Sequence, residues 1–564
     1  MKAKILIPAM LLLCGAVFVF YHYQKNHHAE LVLLHGVVYT ENEREPMAEA
    51  IAIRDGKIVA VGSTREIQSS FVAANVIDLH GRPVYPGFTD AHAHMEGLGA
   101  LLVNVNLGDT KSVEEIQTLV ARRVATVPPG SWVRGRSWDQ NKWPDKVFPT
   151  HQMLDAVAQE NPVILTRVDG HAVWLNQKAL DLAGISKQTP DPDGGKIVRD
   201  DQGNPTGVLI DNAIDFVDAV IPQPSEAERT EAIERAVQEC LKVGLTEVHD
   251  MGADGELIGI YRKLIHAKKF PFRVYVAIGG TGETWKQYLA RGPELAGNDQ
   301  RLTVRALKLY ADGALGSRGA ALIEPYTDDP TNRGLTRTPA EAITEAAREA
   351  LNHGFQVCTH AIGDRANHIV LNAYEAALAQ NKGMAKDARF RIEHAQVVDP
   401  QDIPRFAKLG VIPSMQPTHC TSDMYWAEER LGPKRIKGAY AWRSFLNAGS
   451  ILPGGSDFPV ESPNPLWGFY AAITRQDHNG WPSGGWYPDQ RMTREEALKA
   501  FTLWAAFAAF EEKRRGSVEE GKLADLVVLS NDIMTCEPLR ILETKVVYTI
   551  VGGEIAYASA APVP

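Results

Sequence analysis

From about residue 85 to 514, short apolar runs alternate with helical patterns, a rhythm that limits this region to a parallel sheet or a barrel. The runs include 245–250, 304–310, 354–360, 390–394, 411–416 and 451–457. Helical stretches such as 342–352 separate several of them, and Pro339 gives that one a start signal. A (β/α)8 barrel and a doubly wound open sheet both satisfy the alternation. At about 430 residues the region exceeds the ~250 usual for an eight-fold barrel, so insertions are required. They are best placed around 180–235, 265–300 and 420–440. The Asp-, Gly- and Pro-rich stretch 191–207 reads as loop or hairpin.

The two ends of the chain look different from this middle and similar to each other. Residues 31–82 read as short strands, with Asp55-Gly56 between two β-rich runs as a hairpin signal. Residues 524–530 and 546–557 are again β runs, with Gly552-Gly553 at the turn. Neither end is large enough for a comfortable β domain alone. Together they can build one small sandwich, or each can pack separately as a flap on the core. The expected division is therefore 1–28 as a terminal segment, 29–84 as the first part of a composite β-sandwich, 85–514 as the barrel with insertions, and 515–564 as the second part.

Composition excludes several classes of function. The net charge is −10 over 564 residues, with no basic run or stripe, which argues against nucleic acid as a partner. Five scattered cysteines, Cys14, Cys240, Cys358, Cys420 and Cys536, do not make a disulfide framework. At the N-terminus, Lys2 and Lys4 flank an apolar run over 5–20, followed by a polar stretch to His28. It reads as an uncleaved membrane anchor, a cleaved signal or a buried terminal segment. The first two readings make the protein exported, anchored to a membrane or periplasmic/extracellular, with the membrane as a partner.

Several residues able to bind metal end the apolar runs. His92 and His94 lie two positions apart where an apolar stretch stops, so on a strand they point the same way and can share one ion. Lys308, His360, His394 and Asp457 occupy similar places in later runs. In a barrel such positions converge at the C-terminal face, where active sites lie. Each residue alone also has an ordinary structural reading. His360 can cap a loop, His394 can make a buried hydrogen bond, Lys308 can pair with Asp312, and Gly455-Ser-Asp457 can be a turn.

As an ordered set, the motifs resemble those of the metal-dependent amidohydrolases, in the branch that includes N-substituted formamide deformylases. They are Pro86-Gly-Phe-Thr-Asp-Ala-His-Ala-His94, Gly135-Arg-Ser-Trp-Asp139, Asp169-Gly-His171, Lys308-Leu-Tyr-Ala-Asp-Gly-Ala-Leu-Gly-Ser-Arg318, His360-Ala-Ile-Gly-Asp-Arg365, Arg391-Ile-Glu-His394 and Gly455-Ser-Asp457. The resemblance runs from about residue 30 to 557. It implies a (β/α)8 barrel with a composite β-sandwich and one or two divalent metal ions, usually zinc. It further implies that His92 and His94 hold the more buried ion and His360 and His394 the second, with a carbamylated Lys308 bridging them. Asp457 is expected to be both metal ligand and general base.

Trp138, Asp169, His171 and Arg318 recur in the matching motifs and are candidates for lining the substrate pocket. Trp138 reads equally as core packing, and Arg318 as a structural partner of Asp312. His419 follows a strand-like run and opens a loop able to cover the site; His249 reads as a supporting residue rather than a ligand. The expected substrate is a small molecule with an N-substituted amide or formamide bond. A cyclic amide, an ester, a ring deamination or a noncatalytic binding role are the alternatives on the same scaffold. A homo-oligomer is compatible with the sequence.

Overall fold

A computed structural model describes residues 27–108, 110–168, 172–192, 195–297, 300–316 and 318–560. Residues 95–236 form one compact unit, and the described residues on either side of them form the other.

The larger unit is built on seven parallel strands in a single sheet. In chain order they are β1 (Phe88–Ala93), β2 (Leu245–Ala253), β3 (Arg273–Gly279), β4 (Leu302–Tyr310), β5 (Gln356–Ala361), β6 (Arg391–His394) and β7 (Ile412–Ser414). Each pairs in parallel with the next. The stretch 451–457 fills the eighth position without forming a regular strand. On one side Gly455 donates its N–H to Met415. On the other, Ala91 donates to Gly454 and Asp457 donates to His92. The sheet is thus nearly closed on itself as a barrel, as the βα rhythm predicts, and the open doubly wound sheet is excluded.

Local chemistry explains why the intervening residues turn helical. Helix Ala340–Asn352 starts directly after Pro339, whose fixed φ suits an entry into helix. Helix Gly255–His266 is capped by the Asp254 side chain, which accepts from the Leu257 N–H. Helix Arg494–Ala500 opens with a capping box formed by Thr493 and Glu496.

The two chain ends meet in one mixed six-stranded sheet. Its strands, in spatial order, are Glu554–Ala558, Val546–Val551, Leu526–Leu529, Pro83–Pro86, Val37–Tyr39 and Met47–Ala48. A second sheet of four strands comes from the N-terminal end alone. Leu31, Ile51, Ile53 and Ile58 share one apolar core with Leu526, Val528 and Ile550. The ends therefore form a composite body, not two separate flaps. Both sequence-predicted turns are two-residue hairpin turns with positive φ at each position: Asp55 and Gly56, then Gly552 and Gly553.

The unit Met95–Ala236 carries a six-stranded mixed sheet of its own, with strand Ala172–Leu175 pairing antiparallel on both sides. It is larger than the insertion expected over 180–235. Its strand Val163–Arg167 begins as a short apolar run, which on sequence alone resembles a barrel strand.

One expectation is corrected. Among the described residues no helix is long and apolar enough to cross a membrane. Within the described residues the expected membrane anchor, and the membrane partner and exported location that rested on it, therefore find no support. The apolar run over 5–20 that suggested them lies outside the described residues.

Candidate active site

The C-terminal ends of the barrel strands bring together residues far apart in sequence. His92 lies near the end of β1, Lys308 near the end of β4, His360 near the end of β5 and His394 at the end of β6. Asp457 ends the stretch in the eighth position. His92, Lys308 and His394 are buried, and Asp457 is only 8% exposed.

Asp457 is the focus. Its Oδ1 lies 3.4 Å from His92 Nε2 and 3.2 Å from His94 Nε2. Its Oδ2 lies 3.8 Å from His419 Nε2. Two groups result, His92–His94–Asp457 and His394–His419–Asp457, each with ligand atoms within 4.8 Å of one another. Imidazole nitrogens with a carboxylate oxygen suit a first-row divalent ion, and the two groups can hold one or two. The ring of His360 packs against His394 with centroids 4.6 Å apart. Its Nε2 lies 3.5 Å from both Gly313 O and Asp312 Oδ1.

Neighbouring side chains fix the imidazole tautomers. His92 Nδ1 meets Glu393 Oε2 at 2.6 Å, so it carries the proton and leaves Nε2 as the free donor atom. His394 Nδ1 meets Gln416 Oε1 at 2.7 Å with the same consequence. Sequence reasoning missed both Glu393 and Gln416. One signal for Glu393 was available: Arg391 and Glu393, opposite charges two positions apart, share the short strand that ends at His394.

The electrostatics favour neutral imidazoles facing an ionised aspartate. Burial, with the charge of Lys308, lowers His92 to about 4 and His360 to about 3. Burial, with its histidine neighbours, holds His394 well below the ordinary range. Burial alone would raise Asp457, but His92, His94 and His394 outweigh it and hold the carboxyl well below its usual value. Burial also lowers Lys308, whose Nζ sits 3.3 Å from His92 Nε2.

Backbone geometry adds to the positioning. His394 has φ of 72° and Asp457 has φ of 60°, both in the left-handed region. Such residues each cost on the order of 1–3 kcal/mol and persist where the surrounding structure dictates them. Asp90 anchors the Asp457 segment by accepting from the Ser456 hydroxyl at 2.6 Å and from the Ser456 N–H.

The remaining candidates separate. Trp138 is fully buried in the core of the 95–236 unit, stacks on Trp143 and donates its indole N–H to Leu165 O at 2.7 Å. This placement follows its core-packing reading. Arg318 pairs with Asp328 at 2.8 Å and not with Asp312. Asp312 instead accepts from the backbone N–H groups of Ala321, Ile362 and Gly363, which leaves it no role as an ion-pair partner for Lys308. His249 is buried beside Arg391, at 2.9 Å, and stays outside both ligand groups. Asp169 and His171 lie outside the described residues.

Comparison with known proteins places this geometry. The chain is 34% identical to a putative amidohydrolase, YtcJ, of Bacillus subtilis over 93% of its length and 98% of that protein's. It is 30% identical to the N-substituted formamide deformylase of Arthrobacter pascens over 94% of its length and 98% of that enzyme's. An uncharacterized metal-dependent hydrolase from Pyrococcus horikoshii superposes with a TM-score of 0.75 at 26% identity, covering 90% of this chain and 99% of the other. Residues 75–557 match the profile of the amidohydrolase family. With a barrel whose strand ends carry two His/His/Asp groups, the chain belongs to that family, as a metal-dependent hydrolase of carbon–nitrogen bonds other than peptide bonds.

Proposed function

We propose that the protein hydrolyses a small N-substituted amide or formamide, with Asp457 as the proton carrier. The observation behind this reading is the position of Asp457, whose Oδ1 lies within 3.4 Å of His92 and His94 and whose Oδ2 lies 3.8 Å from His419. The deformylase relative supports the choice of substrate class.

In this reading His92, His94, His360, His394, Lys308 and Asp457 hold one or two divalent ions, with zinc preferred. When bound, such an ion supplies Lewis acidity, which brings the pKa of water to about 7 and polarises a carbonyl. Asp457 accepts the proton as water adds to the carbonyl carbon. It then returns that proton to the nitrogen as the carbon–nitrogen bond breaks, releasing an amine and a carboxylic acid. Glu393 and Gln416 keep Nε2 of His92 and His394 free throughout. Lys308 enters as a carbamate. An ammonium 3.3 Å from His92 Nε2 would oppose a dication, whereas a carbamate offers it an anionic oxygen.

The test is metal content together with hydrolysis of a panel of N-substituted formamides, amides, cyclic amides and esters, using protein loaded with zinc and bicarbonate. Amide cleavage that falls by about 10²–10⁴ in Asp457→Ala is the expected result. Turnover confined to cyclic amides, esters or ring amines would overturn the substrate assignment. Labelled bicarbonate should give a carbamate carbon signal that is absent in Lys308→Ala.

A further inference from the structure

We propose that Tyr310 is a further catalytic residue, whose hydroxyl donates a hydrogen bond to the amide oxygen of the substrate and holds that oxygen as it turns anionic. The inference rests on the amide-hydrolysing reading above and leaves its metal-holding residues unchanged.

Tyr310 closes β4 two positions after Lys308, so both side chains leave the strand on the same side. Lys308 Nζ lies 3.3 Å from His92 Nε2 and 5.0 Å from the centre of the Tyr310 ring. That ring packs beside His360, with centroids 5.6 Å apart. It reaches past the end of β3 to β2, where a Cβ built on Gly252 would lie 3.6 Å from the hydroxyl. Asp250 pairs with Ala93, so Gly252 stands at the level of His94. The hydroxyl of this half-buried side chain makes no hydrogen bond among the described residues. Other tyrosines of the same unit behave differently. Tyr261, Tyr275 and Tyr374 donate to Asp250, Gln356 and Thr359 at 2.7, 3.1 and 2.7 Å. Tyr310 thus brings an uncommitted donor to the mouth of the barrel.

The local fold holds that donor in place. The Thr338 hydroxyl donates to Tyr310 O at 2.7 Å. The Arg337 N–H donates to Ala311 O, and the Ala311 N–H donates to His360 O, each at 2.8 Å. The Arg337 guanidinium lies 5.3 Å from the centre of the Tyr310 ring, a favourable place for a positive charge. A donor fixed in this way needs no reorganisation as charge develops on the oxygen, so it stabilises the tetrahedral state more than the neutral amide. A phenol keeps its proton at neutral pH and can donate. Tyr310 retains that proton throughout, and proton transfer stays with Asp457.

The experiment compares the full chain with its Tyr310→Phe variant, both loaded with zinc and bicarbonate. The variant keeps the ring and its packing, so metal content and melting temperature should not change. On the amide that wild type cleaves fastest, kcat should fall about 10–100-fold with KM little altered. Methylphosphonate, a tetrahedral anion, should bind the variant more weakly by a similar factor in calorimetry. Full kcat in Tyr310→Phe, whether or not KM rises, would overturn the proposal. Loss of metal from the variant would also overturn it, by making Tyr310 a support of the ions instead. If wild type cleaves no amide, the amide reading falls and the methylphosphonate titration decides the role of Tyr310. Weaker binding by the variant would then support that role, and equal affinity would overturn it.

Discussion

At the scale of single residues, the site depends on partners that stand behind the residues able to hold a metal ion. Glu393 is fully buried between His92 Nδ1 at 2.6 Å and the Arg391 guanidinium at 2.7 Å. Burial by itself would raise its pKa, but Arg391, His92 and Lys308 hold the carboxyl well below the ordinary range. Glu393→Gln should weaken metal binding by about 10–100-fold, because the amide no longer commits His92 to the Nδ1–H tautomer. It should also destabilise the fold by about 3–5 kcal/mol, since Arg391 loses its buried counter-charge. Metal titration by calorimetry and a thermal melt read the two effects separately; unchanged metal affinity would refute the orienting role. This division also explains what the sequence could reveal. His92, His94, Lys308, His360, His394 and Asp457 are visible because barrel strands must end in chemistry and those residue types stand out after apolar runs. Glu393 and Gln416 are ordinary polar residues whose value lies in contacts across strands, and nothing in linear order marks such contacts. Trp138 shows the opposite limit: a motif position that looks functional is occupied by a core side chain.

At the scale of elements, the eighth position of the barrel is held by close backbone approach rather than by a regular ladder. A Cβ at Gly455 would lie 2.6 Å from the His92 nitrogen and 2.8 Å from Asp90 Oδ1, distances that require the segment to move. Gly455→Ala should therefore cost about 1–3 kcal/mol through overpacking and shift Asp457 two residues along. The expected signature is a fall in kcat larger than the change in melting temperature alone would give; full kcat in a destabilised variant would show that the segment tolerates displacement. The composite sheet has a titratable element of its own. Burial raises Glu41, between strands Val37–Tyr39 and Met47–Ala48, to about 7 from its ordinary 4.5. The folded state thus prefers the protonated form. The contribution of Glu41 to stability is greatest below about 4.5 and is lost as pH climbs through about 7. Glu41→Gln should melt higher than wild type at pH 8 and lose that advantage at pH 4; an equal gain at both values would exclude the titration. Hairpin turns such as Asp55-Gly56 were legible because two positive φ angles demand those residues. The mixed pairing of the 95–236 sheet was not, because a short apolar strand carries no mark of the direction of its neighbour.

At the scale of the larger unit, the C-terminal segment is fastened beneath the barrel by buried ion pairs. Arg273, at the start of β3, makes a two-pronged contact with Asp525 at 2.7 and 2.8 Å, with both side chains under 5% exposed. Asp525 Oδ1 also accepts from the Gly552 N–H at 2.8 Å, so the same carboxylate ties the barrel to the last hairpin of the composite sheet. Nearby, Arg515 pairs with Glu511 at 2.7 Å and contacts Glu247 of β2. The Arg273–Asp525 and Arg515–Glu247 pairs join residues more than 200 positions apart, which ties the C-terminal segment to the barrel instead of leaving it a loose flap. A buried pair adds little when intact yet costs heavily when half of it is removed, because the surviving charge keeps its desolvation penalty. Arg273→Met should accordingly destabilise the C-terminal strands by about 3–5 kcal/mol. Asp525→Asn should cost less, since the amide oxygen still accepts from Gly552. In the double variant Arg273→Met/Asp525→Asn no charge is left stranded, so the loss should be smaller than the sum of the single losses by about 0.5–3 kcal/mol. Hydrogen exchange on strands Leu526–Leu529 and Val546–Val551 measures this locally, without requiring the whole chain to unfold in one step. Additive losses, within about 0.5 kcal/mol, would show that the two residues act independently and that apolar packing alone holds the chain ends to the barrel.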